Sequence, residues 1–253
     1  MKTTRLFITS LRNEAVGFLL IVALWGVGSL FYPPYIIPSP LAVVTSTSTY
    51  LPQEFLHHLW LTSYRTLTGF LLAFVAGTLI GTLAFIKGWI KPVNSLMVAL
   101  QVLPGTILGV IFLLMFGIGS LTPILLVAFL TLPTLAINTV NGLSKRNVAL
   151  EHYLTSIQSS RWGIVRYVYL PTLVPVVQSN LSLGMSMAVK VVVLGEFIGS
   201  QDGLGYLLNN ARIFFNMKEV FFYLLVLLLF TLFFQAVQSF VFSTLLKKYY
   251  YPE

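Results

Sequence analysis

The chain has 253 residues, of which 57% are hydrophobic and only 9% are charged, and its formal net charge is +8. Ordinary soluble domains carry about 25% charged residues, so this composition excludes a water-soluble protein. The 15 basic residues are scattered at the ends of apolar runs and form no stripe interleaved with aromatic residues, which argues against nucleic-acid binding. The absence of cysteine excludes disulfides, thiolate metal sites and a cysteine nucleophile.

Six apolar runs in the sequence are long enough to cross a bilayer, which takes roughly 20 mostly apolar residues in a helix. The first run follows three basic residues but lacks a small-residue cleavage pattern, so we interpret it as a retained span and not as a signal peptide. The chain is therefore predicted to be an all-α integral membrane protein with a single transmembrane domain over residues 1–253. The predicted spans are 14–31, 63–86, 93–116, 121–143, 171–197 and 220–246.

Basic residues favour one side of the membrane in this arrangement, and six spans place both termini on that side. The opposite loops hold Arg65, Arg212 and Lys218. Because positive charge is enriched in cytoplasmic loops, we expect a multi-pass protein of a bacterial cytoplasmic (inner) membrane with both termini in the cytoplasm. The basic residues on the richer side are Lys2, Arg5, Arg12, Lys87, Lys91, Lys145, Arg146, Arg161, Arg166, Lys247 and Lys248.

Helix-disrupting residues occur in or beside the third and fourth predicted spans, among them Pro104, Gly105 and Pro133. Proline removes a backbone hydrogen bond, and unpaired backbone at membrane depth is tolerated only against protein or a watery cavity. We therefore predict that Pro104 and Gly105 line a solute pathway. Kinks that merely improve packing between spans explain these residues equally well.

Two charges lie in the fifth predicted span, Lys190 and Glu196. A lysine at the centre of a membrane costs roughly 2.5–3.5 kcal/mol on insertion scales. Six residues separate the two charges, which is about 120° around a helix, so they do not share a face. We predict both as pathway residues, with Lys190 favouring an anionic solute. Snorkelling of Lys190 to the outer interface, or pairing across a dimer, is an equally good explanation.

No catalytic or metal-binding arrangement is apparent in the sequence. It contains no Gly-x-x-x-x-Gly-Lys-Ser/Thr phosphate loop, so we expect no ATP hydrolysis by this chain. The histidines are His57, His58 and His152, and they do not supply the three or four converging ligands that a metal site needs. We therefore predict that the chain is not an enzyme and holds no cofactor of its own.

The segment 144–170 is too polar for a span and too helix-friendly for a plain loop. Its apolar residues fall at helical spacing in two groups, and the polar run Gln158-Ser159-Ser160 separates them. This pattern predicts two short helices joined by a turn, with Ser160 as an N-cap. A partner protein can bind such an element. The apolar residues are Leu150, Tyr153, Leu154 and Ile157 in the first group and Trp162, Val165 and Tyr169 in the second.

In this segment the chain resembles the binding-protein-dependent ABC transporter permeases. Their cytoplasmic loop carries a Glu-Ala-Ala-x-x-x-Gly core, followed by Ser-Arg-Trp-like residues and a Leu-Pro. Ser160-Arg161-Trp162 and Leu170-Pro171 match the second half of that pattern. By the resemblance, this segment is a coupling loop that contacts an ATPase. The residues implied in this contact are Glu151, His152, Tyr153, Gln158, Ser160, Arg161, Trp162 and Arg166.

The first half of the loop departs from the family pattern. His152 falls where the family has glutamate, and Tyr153 and Leu154 fall where it has the two alanines. Gln158 stands in place of the glycine, and Glu151 lies one position before the family's glutamate. Another residue must therefore make the turn that glycine makes in the family.

Further segments carry the resemblance along nearly the whole chain, and they resemble the nitrate/sulfonate/taurine branch in particular. Each piece alone is short, but their shared order over six spans is specific. The matching pieces are Ile37-Pro38-Ser39-Pro40, Arg65-x-x-x-Gly69-Phe70, Phe116-Gly117-Ile118-Gly119, Leu132-Pro133 and Gly195-Glu196-Phe197-Ile198-Gly199 with Gly203-Leu204-Gly205.

The resemblance implies a transmembrane permease, usually paired with a second copy, that seats two ATPase subunits in the cytoplasm and receives an extracytoplasmic solute-binding protein. ATP and Mg would be bound by the ATPase partner. The loop would act as a lever for alternating access of a small polar, or anionic, solute. The alternative is a self-sufficient secondary transporter or channel, which needs no docking loop and would move solute with no ATPase present.

Overall fold

The computed structural model describes the backbone of residues 2–245 and the side chains of residues 16–238 and of Phe240. These residues form α-helices and one short π-helical segment, Val165–Tyr169, with no strand among them. The helices are α1 (Lys2–Phe31), α2 (Pro40–Thr45), α3 (Thr47–Tyr50), α4 (Phe55–Ile86), α5 (Ile90–Gln101), α6 (Gly105–Phe116), α7 (Leu121–Ser144), α8 (Val148–Ser156), α9 (Arg161–Ile164), α10 (Leu170–Gly199), α11 (Leu204–Ile213) and α12 (Met217–Leu245).

The predicted all-α membrane fold is confirmed. Four helical stretches are long and apolar enough to cross a membrane: α4, α7, the stretch Arg161–Gly199 that includes α10, and the described part of α12, Met217–Gln238. The pair α5 and α6 adds a fifth crossing if it counts as one broken span, and the described apolar part of α1, Val16–Phe31, is shorter. Each of the six predicted spans thus falls on a helix or a pair of helices, and the number of membrane crossings is approximate.

Several residues used in the topology prediction lie outside the described part of the chain. The charge bias at the two termini therefore rests on the sequence alone. The side chains concerned are those of Lys2, Arg5, Arg12, Lys247 and Lys248.

The third predicted span, 93–116, is not one helix. Helices α5 and α6 meet at an angle of 86°, and the break falls at residues 102–104. Pro104 lacks a backbone N–H and disfavours helical geometry in the residue before it, so the helix cannot continue through this point. Each half has 12 residues, or about 18 Å, which is too short to cross a bilayer alone.

Helices α4, α7 and α10 form the core of the fold. One face of α4 carries Gly69, Ala73, Gly77 and Gly81 at four-residue spacing. A Cβ on Gly69, Gly77 or Gly81 would lie 2.7, 2.8 and 2.6 Å, respectively, from carbonyl oxygens of α7. The two backbones therefore approach as closely as glycine allows. Such close packing stabilises helix pairs in lipid, where the hydrophobic effect does not drive helices together.

Helices α1 and α12 pack with α2 and α11 at the side of this core. Trp25 of α1 donates a hydrogen bond to the Pro38 carbonyl at 2.8 Å and stacks on Phe221 of α12. Tyr223 of α12 donates to the Tyr50 carbonyl at 2.9 Å. The chain between α1 and α4 is thereby fixed against α12. We call the end of the bundle that carries residues 144–170 the loop end, and the end that carries residues 200–203 the far end.

Candidate functional site

The segment 144–170 folds as the sequence predicts, into two short helices, α8 and α9, joined by a turn. Ser160 caps α9, because its Oγ accepts a hydrogen bond from the Gly163 N–H at 3.1 Å. Asn147 caps α8 in the same way, accepting from the Leu150 N–H at 2.9 Å. Each cap satisfies an N–H that the first helical turn leaves unpaired. The loop is therefore a defined structural element.

The turn between α8 and α9 is made by Gln158, the residue that stands where the family pattern has glycine. Gln158 has a φ of +56°, in the left-handed region that glycine adopts without cost. The next N–H, of Ser159, donates to the Leu154 carbonyl at 2.9 Å, which is the closing bond of a helix that ends in a left-handed residue. The turn is thus retained, at a cost of about 1–2 kcal/mol for a residue with a side chain.

Large apolar side chains of the loop are exposed at its surface. Trp162 is 66% exposed, Tyr153 is 61% exposed and Ile157 is 56% exposed. Arg161 and His152 are exposed beside them. We refer to Tyr153, Ile157 and Trp162 as the loop face. An aromatic and aliphatic surface of this kind, next to charged residues, is typical of a protein–protein contact.

Glu151 fastens α8 to the ends of the long helices. Its carboxylate accepts hydrogen bonds from Arg146 Nε and from Tyr169 Oη, each at 2.6 Å. Arg146 also lies over the Phe85 ring of α4, at 4.8 Å from the centroid. The hydrogen bond from Tyr169, and then the contact with Arg146, outweigh partial burial and lower the pKa of Glu151. The predicted coupling residue Glu151 is therefore an internal anchor that ties the loop to α4, α7 and α10.

The predicted pathway residues lie in three different settings. Pro104 is exposed at the break between α5 and α6, and Gly105 begins α6 beside Leu130 and Leu194. Lys190 is exposed on α10 and forms no ion pair with the residues that the structure describes. Pro104, Gly105 and Lys190 remain predicted pathway residues.

Glu196 does not face a pathway, because its carboxylate is fully buried in an ion pair with Arg65. Arg65 Nη1 lies 2.9 Å from Glu196 Oε1, and both side chains are buried. Thr62 donates its hydroxyl proton to the same carboxylate at 2.9–3.0 Å, and the Gly205 N–H donates at 3.0 Å. Arg65, predicted in an outer loop, is inside α4, which begins at Phe55 and not at residue 63.

The buried pair extends into a larger far-end cluster made of Thr62, Arg65, Ser120, Glu196 and Asp202. Arg65 donates from Nε and Nη2 to Ser120 Oγ at 3.0 and 2.9 Å, and its Nη2 also pairs with the Asp202 carboxylate. The Leu204 N–H donates to Thr62 Oγ1 at 2.9 Å. The cluster thus joins the far ends of α4, α7, α10 and α11 and satisfies a charge that would otherwise be costly to bury.

Gly203 is required where the chain passes over this cluster. Its φ is +99°, and a Cβ at this position would lie 2.3 Å from Cδ of Glu196. Its N–H donates to His58 Nδ1 at 2.9 Å. Both the backbone conformation and the close approach therefore demand glycine.

Residues 69–247 match the family described as binding-protein-dependent transport system inner membrane component. The chain belongs to this family. The match spans α7, the 144–170 loop and α10, which are the elements described above. It confirms the resemblance predicted from the sequence and makes the chain a multi-pass permease of the inner membrane.

The permease is similar to curated proteins along most of its length. It is 31% identical over 226 residues to the riboflavin transport system permease protein RibX of Chloroflexus aurantiacus, covering 86% of this chain and 82% of RibX. It is 28% identical over 206 residues to the formylaminopyrimidine transport permease protein ThiX of Halalkalibacterium halodurans, covering 81% of this chain and 82% of ThiX. It is 29% identical over 206 residues to SsuC of Bacillus subtilis, which is named for aliphatic sulfonates transport, covering 80% of this chain and 75% of SsuC.

The fold of the permease is also that of a solved transporter. A chain in the structure titled as inward-facing conformations of the MetNI methionine ABC transporter superposes with a TM-score of 0.65 at 19% identity. The superposition covers 78% of the permease and 96% of that chain. This likeness shows the fold, and with the family it confirms the prediction of an ABC importer permease.

Sequence reasoning missed a second polar group of the permease, at the centre of the core. Asn180 of α10 is fully buried and donates from Nδ2 to Thr78 at 3.1 Å and to Thr139 at 2.8 Å. It accepts from Asn138 Nδ2 at 2.8 Å. Hydrogen bonds between helices at membrane depth hold spans in register. The available signal was polar residues within three apolar runs, but their pairing depends on how the helices pack.

The Arg65–Glu196 pair could have been found from the sequence. The two charges lie near corresponding ends of the second and fifth predicted spans, on the same side of the membrane. A charge in a span pairs with protein or faces water, so two opposite charges at one depth are natural partners. The sequence prediction misses this pair because it assigns Arg65 to an outer loop, although Arg65 lies at the start of the predicted span 63–86.

Proposed function

We propose that the permease works as a pair of identical copies, with two ATPase subunits bound at the 144–170 loops and a solute-binding protein received at the far end. ATP-driven alternating access then moves a small polar solute into the cytoplasm. In this proposal the loop and both termini are cytoplasmic, as the distribution of Lys and Arg favours. The observation that carries it is an exposed apolar loop face on a firmly anchored element.

The structure supports a lever between the loop and the far end. The chain is helical from Arg161 to Gly199, through α9, the π-helical segment and α10. Glu151 holds α8 against the start of this stretch and the end of α7. A force applied to the loop face would therefore reach α10 and α7 together. When ATP closes the ATPase pair, such a coupled shift of helices opens the pathway to one side or the other.

The roles of the permease and of its ATPase partner follow from the residues that the permease contains. ATP and Mg bind in the ATPase partners, since the sequence offers no phosphate loop, and this chain supplies docking and the pathway. A self-sufficient transporter would have no use for an exposed aromatic loop face. Purified permease that moved solute with no ATPase present would favour that alternative.

A charge reversal on the loop tests the proposal. Arg161 is exposed beside Trp162 and has no role in the core, so Arg161→Glu should leave the permease folded in the membrane. Docking depends on charge complementarity at a small interface, so co-purification of the ATPase and solute-stimulated ATP hydrolysis should fall together, by about tenfold. The three measurements are permease level in the membrane, ATPase co-purification and ATP hydrolysis.

Lys87→Glu is the matched control, because Lys87 is an exposed basic residue at the loop end but outside the loop. It should leave all three measurements at wild-type values. ATPase association and stimulation that are unchanged in Arg161→Glu and in a Trp162 variant would contradict docking through the loop face.

A further inference from the structure

An apolar groove runs along the permease between α4 and α12. The two helices do not pack closely on each other, and the space between them is a cavity of about 530 Å³. Tyr50, which ends α3, packs on Phe222 of α12 with the ring centroids 6.1 Å apart, so α2 and α3 lie beside the far-end part of the groove. The groove is therefore a gap in the helix packing that begins at the far end.

The lining of the groove is hydrocarbon apart from two hydroxyls. Only Thr47 and Ser63 of the lining side chains carry polar atoms. Thr47 Oγ1 donates to the Val44 carbonyl at 2.7 Å, and Ser63 Oγ donates to the Leu59 carbonyl at 2.8 Å. The groove thus has no free donor for a polar solute, and it lacks the two to four polar partners that a buried water needs. An occupant of the groove is therefore apolar.

The length of the groove corresponds to one leaflet of a bilayer. On α12 its lining runs from Phe222 to Phe233, a rise of about 16 Å. On α4 it runs from Phe55 to Ser63, a rise of about 12 Å. The hydrocarbon core of a bilayer is about 30 Å thick, so the groove extends from the far end to about the middle of the membrane. An acyl chain of the far-end leaflet covers the same depth.

The groove is too narrow for a helix. A volume of about 530 Å³ over about 16 Å gives a mean cross-section of about 33 Å², or about 6.5 Å across. A helix with its side chains is about 10–12 Å wide, whereas carbon atoms in contact lie about 4 Å apart, which is the width of a methylene chain. A stable protein interface also takes about 20–30 residues from each side, more than line this groove. The groove therefore fits an acyl chain better than a span of a second copy.

One side of the groove is open to the surroundings of the permease. Leu51 is 42% exposed, Leu229 is 50% exposed and Phe233 is 63% exposed. These side chains continue into the outer surfaces of α4 and α12, which are both long and apolar enough to cross the membrane. A gap left empty at this depth would forfeit van der Waals contacts along its walls. Lipid of the surrounding bilayer can therefore enter the groove from the side.

A cation lies just beyond the far-end limit of the groove. Lys218 is exposed on α12, four residues before Phe222 and therefore about 6 Å from it and about 40° round the helix. Among the residues that the structure describes, Lys218 forms no ion pair. It lines a second cavity, of about 480 Å³, together with Tyr35 and Asn216. A positive charge at the end of an apolar groove is complementary to an anionic phospholipid, whose phosphate lies beyond its acyl chains.

We propose that the groove binds one acyl chain of a phospholipid from the far-end leaflet, with the phosphate of that lipid at Lys218. The chain fills the gap between α4 and α12 and supplies contacts that the two helices do not make directly. The bound lipid thereby ties α12 to the core of the fold. This site is separate from the solute pathway and from the 144–170 loop.

Binding of lipid to the purified permease measures occupancy of the groove. The permease is purified in detergent, dipalmitoyl phosphatidylglycerol is added, and native mass spectrometry gives the number of lipids bound per chain. Leu229→Trp puts a larger side chain into the groove, and this overfilling should lower lipid affinity by roughly tenfold. Leu224→Trp is the matched control, because Leu224 is 46% exposed on the same helix but lies outside the groove lining, about 140° from Leu229. It should bind lipid as the wild type does.

Filling the groove from its other wall repeats the test independently. Ser63→Leu adds an apolar side chain on α4, and it should leave the fold intact because the Ser63 hydroxyl donates only to its own helix. Lipid affinity should again fall by roughly tenfold. Thermal unfolding is measured with and without lipid. Since a ligand that binds the folded state stabilises it, added lipid should raise the Tm of the wild type and of Leu224→Trp more than that of either groove variant.

Two further arms test the role of the phosphate. Lys218→Gln should weaken phosphatidylglycerol binding by about fivefold, which is the contribution of one basic residue near an anionic membrane surface, and Lys218→Arg should retain it. Glycerol 1-phosphate, which has the phosphate but no acyl chain, should not displace the bound lipid. ATPase co-purification should stay at the wild-type value in every variant, since the loop face lies at the opposite end of the permease.

Three outcomes contradict the proposal. If both groove variants bind lipid as Leu224→Trp does, the acyl chain lies elsewhere. If the groove variants separate a pair of permeases into single copies, the second copy occupies the groove. If glycerol 1-phosphate displaces the lipid, the site recognises phosphate alone and the groove holds no chain.

Discussion

The far-end cluster and the 144–170 loop lie at opposite ends of the same core helices, and both are built from charged and polar residues. In the far-end cluster every charge is paired within the chain, and Arg65 and Glu196 are fully buried. In the loop only Glu151 and Arg146 are paired in this way, and the loop face leaves Trp162 and Tyr153 largely exposed. The charges of one end are complete within the chain, whereas the other end exposes an aromatic surface at which we propose that a partner binds.

The difference shows that some polar residues of the chain stabilise its fold, whereas others contribute mainly to binding. Buried charges with satisfied hydrogen bonds fix helix ends relative to one another, and removing one partner mainly costs stability. Exposed aromatic and basic residues contribute little to stability, so removing them mainly costs binding. Three substitutions should therefore affect the stability of the permease and its binding of the ATPase to different extents.

The largest effect is expected for Arg65→Gln. This change leaves the buried Glu196 carboxylate without its cation, and removing one partner of a buried pair costs about 3–5 kcal/mol. We expect a marked loss of thermal stability and of monodisperse permease in detergent. Arg212→Gln is the control, because Arg212 is exposed at the far end and, among the described residues, has hydrogen bonds only with Asn209 and a ring contact only with Phe197. Equal stability of the two variants would contradict a structural role for the cluster.

A smaller effect, on binding alone, is expected for Trp162→Ala. Removing a central aromatic residue from an interface typically costs about 2 kcal/mol or more, so ATPase affinity should fall by a factor of about 30. The thermal stability of the permease should not change. Trp89→Ala is the matched control, since Trp89 is an exposed tryptophan at the loop end outside the loop. A similar loss of affinity in both variants would show that the effect is not specific to the loop face.

The smallest effect is expected for Gln158→Gly. Glycine adopts the left-handed conformation without the cost that a side chain carries, so the turn should gain about 1 kcal/mol. Hydrogen exchange of the α8 amides should slow by roughly fivefold. Gly88→Gln is the converse change, because Gly88 has a φ of +73° with open space around it. It should destabilise its own turn by a similar amount. Faster exchange in Gln158→Gly would show that the glutamine side chain stabilises the turn.

How much of the site could be predicted depended on whether its determinants are local. The two loop helices, the Ser160 cap and the need for a substitute at the glycine position follow from residues close together in the chain. The break at Pro104 could be placed, but its 86° angle depends on how α5 and α6 pack against α7. The role of Glu151 as an anchor was not predictable, because Tyr169 is 18 positions away, in the π-helical segment, and reaches Glu151 only through the fold of the loop.

The sequence by itself determined that the chain is helical, lies in a membrane and forms two short helices in the 144–170 loop, because apolar length, helix caps and charge bias are properties of short segments. The pairing of charges was decided only by the tertiary structure. Arg65 and Glu196 are 131 positions apart, and they meet because α4 and α10 pack against each other in the core. The same packing left Lys190 on an open face, although it lies only six residues before Glu196 on the same helix.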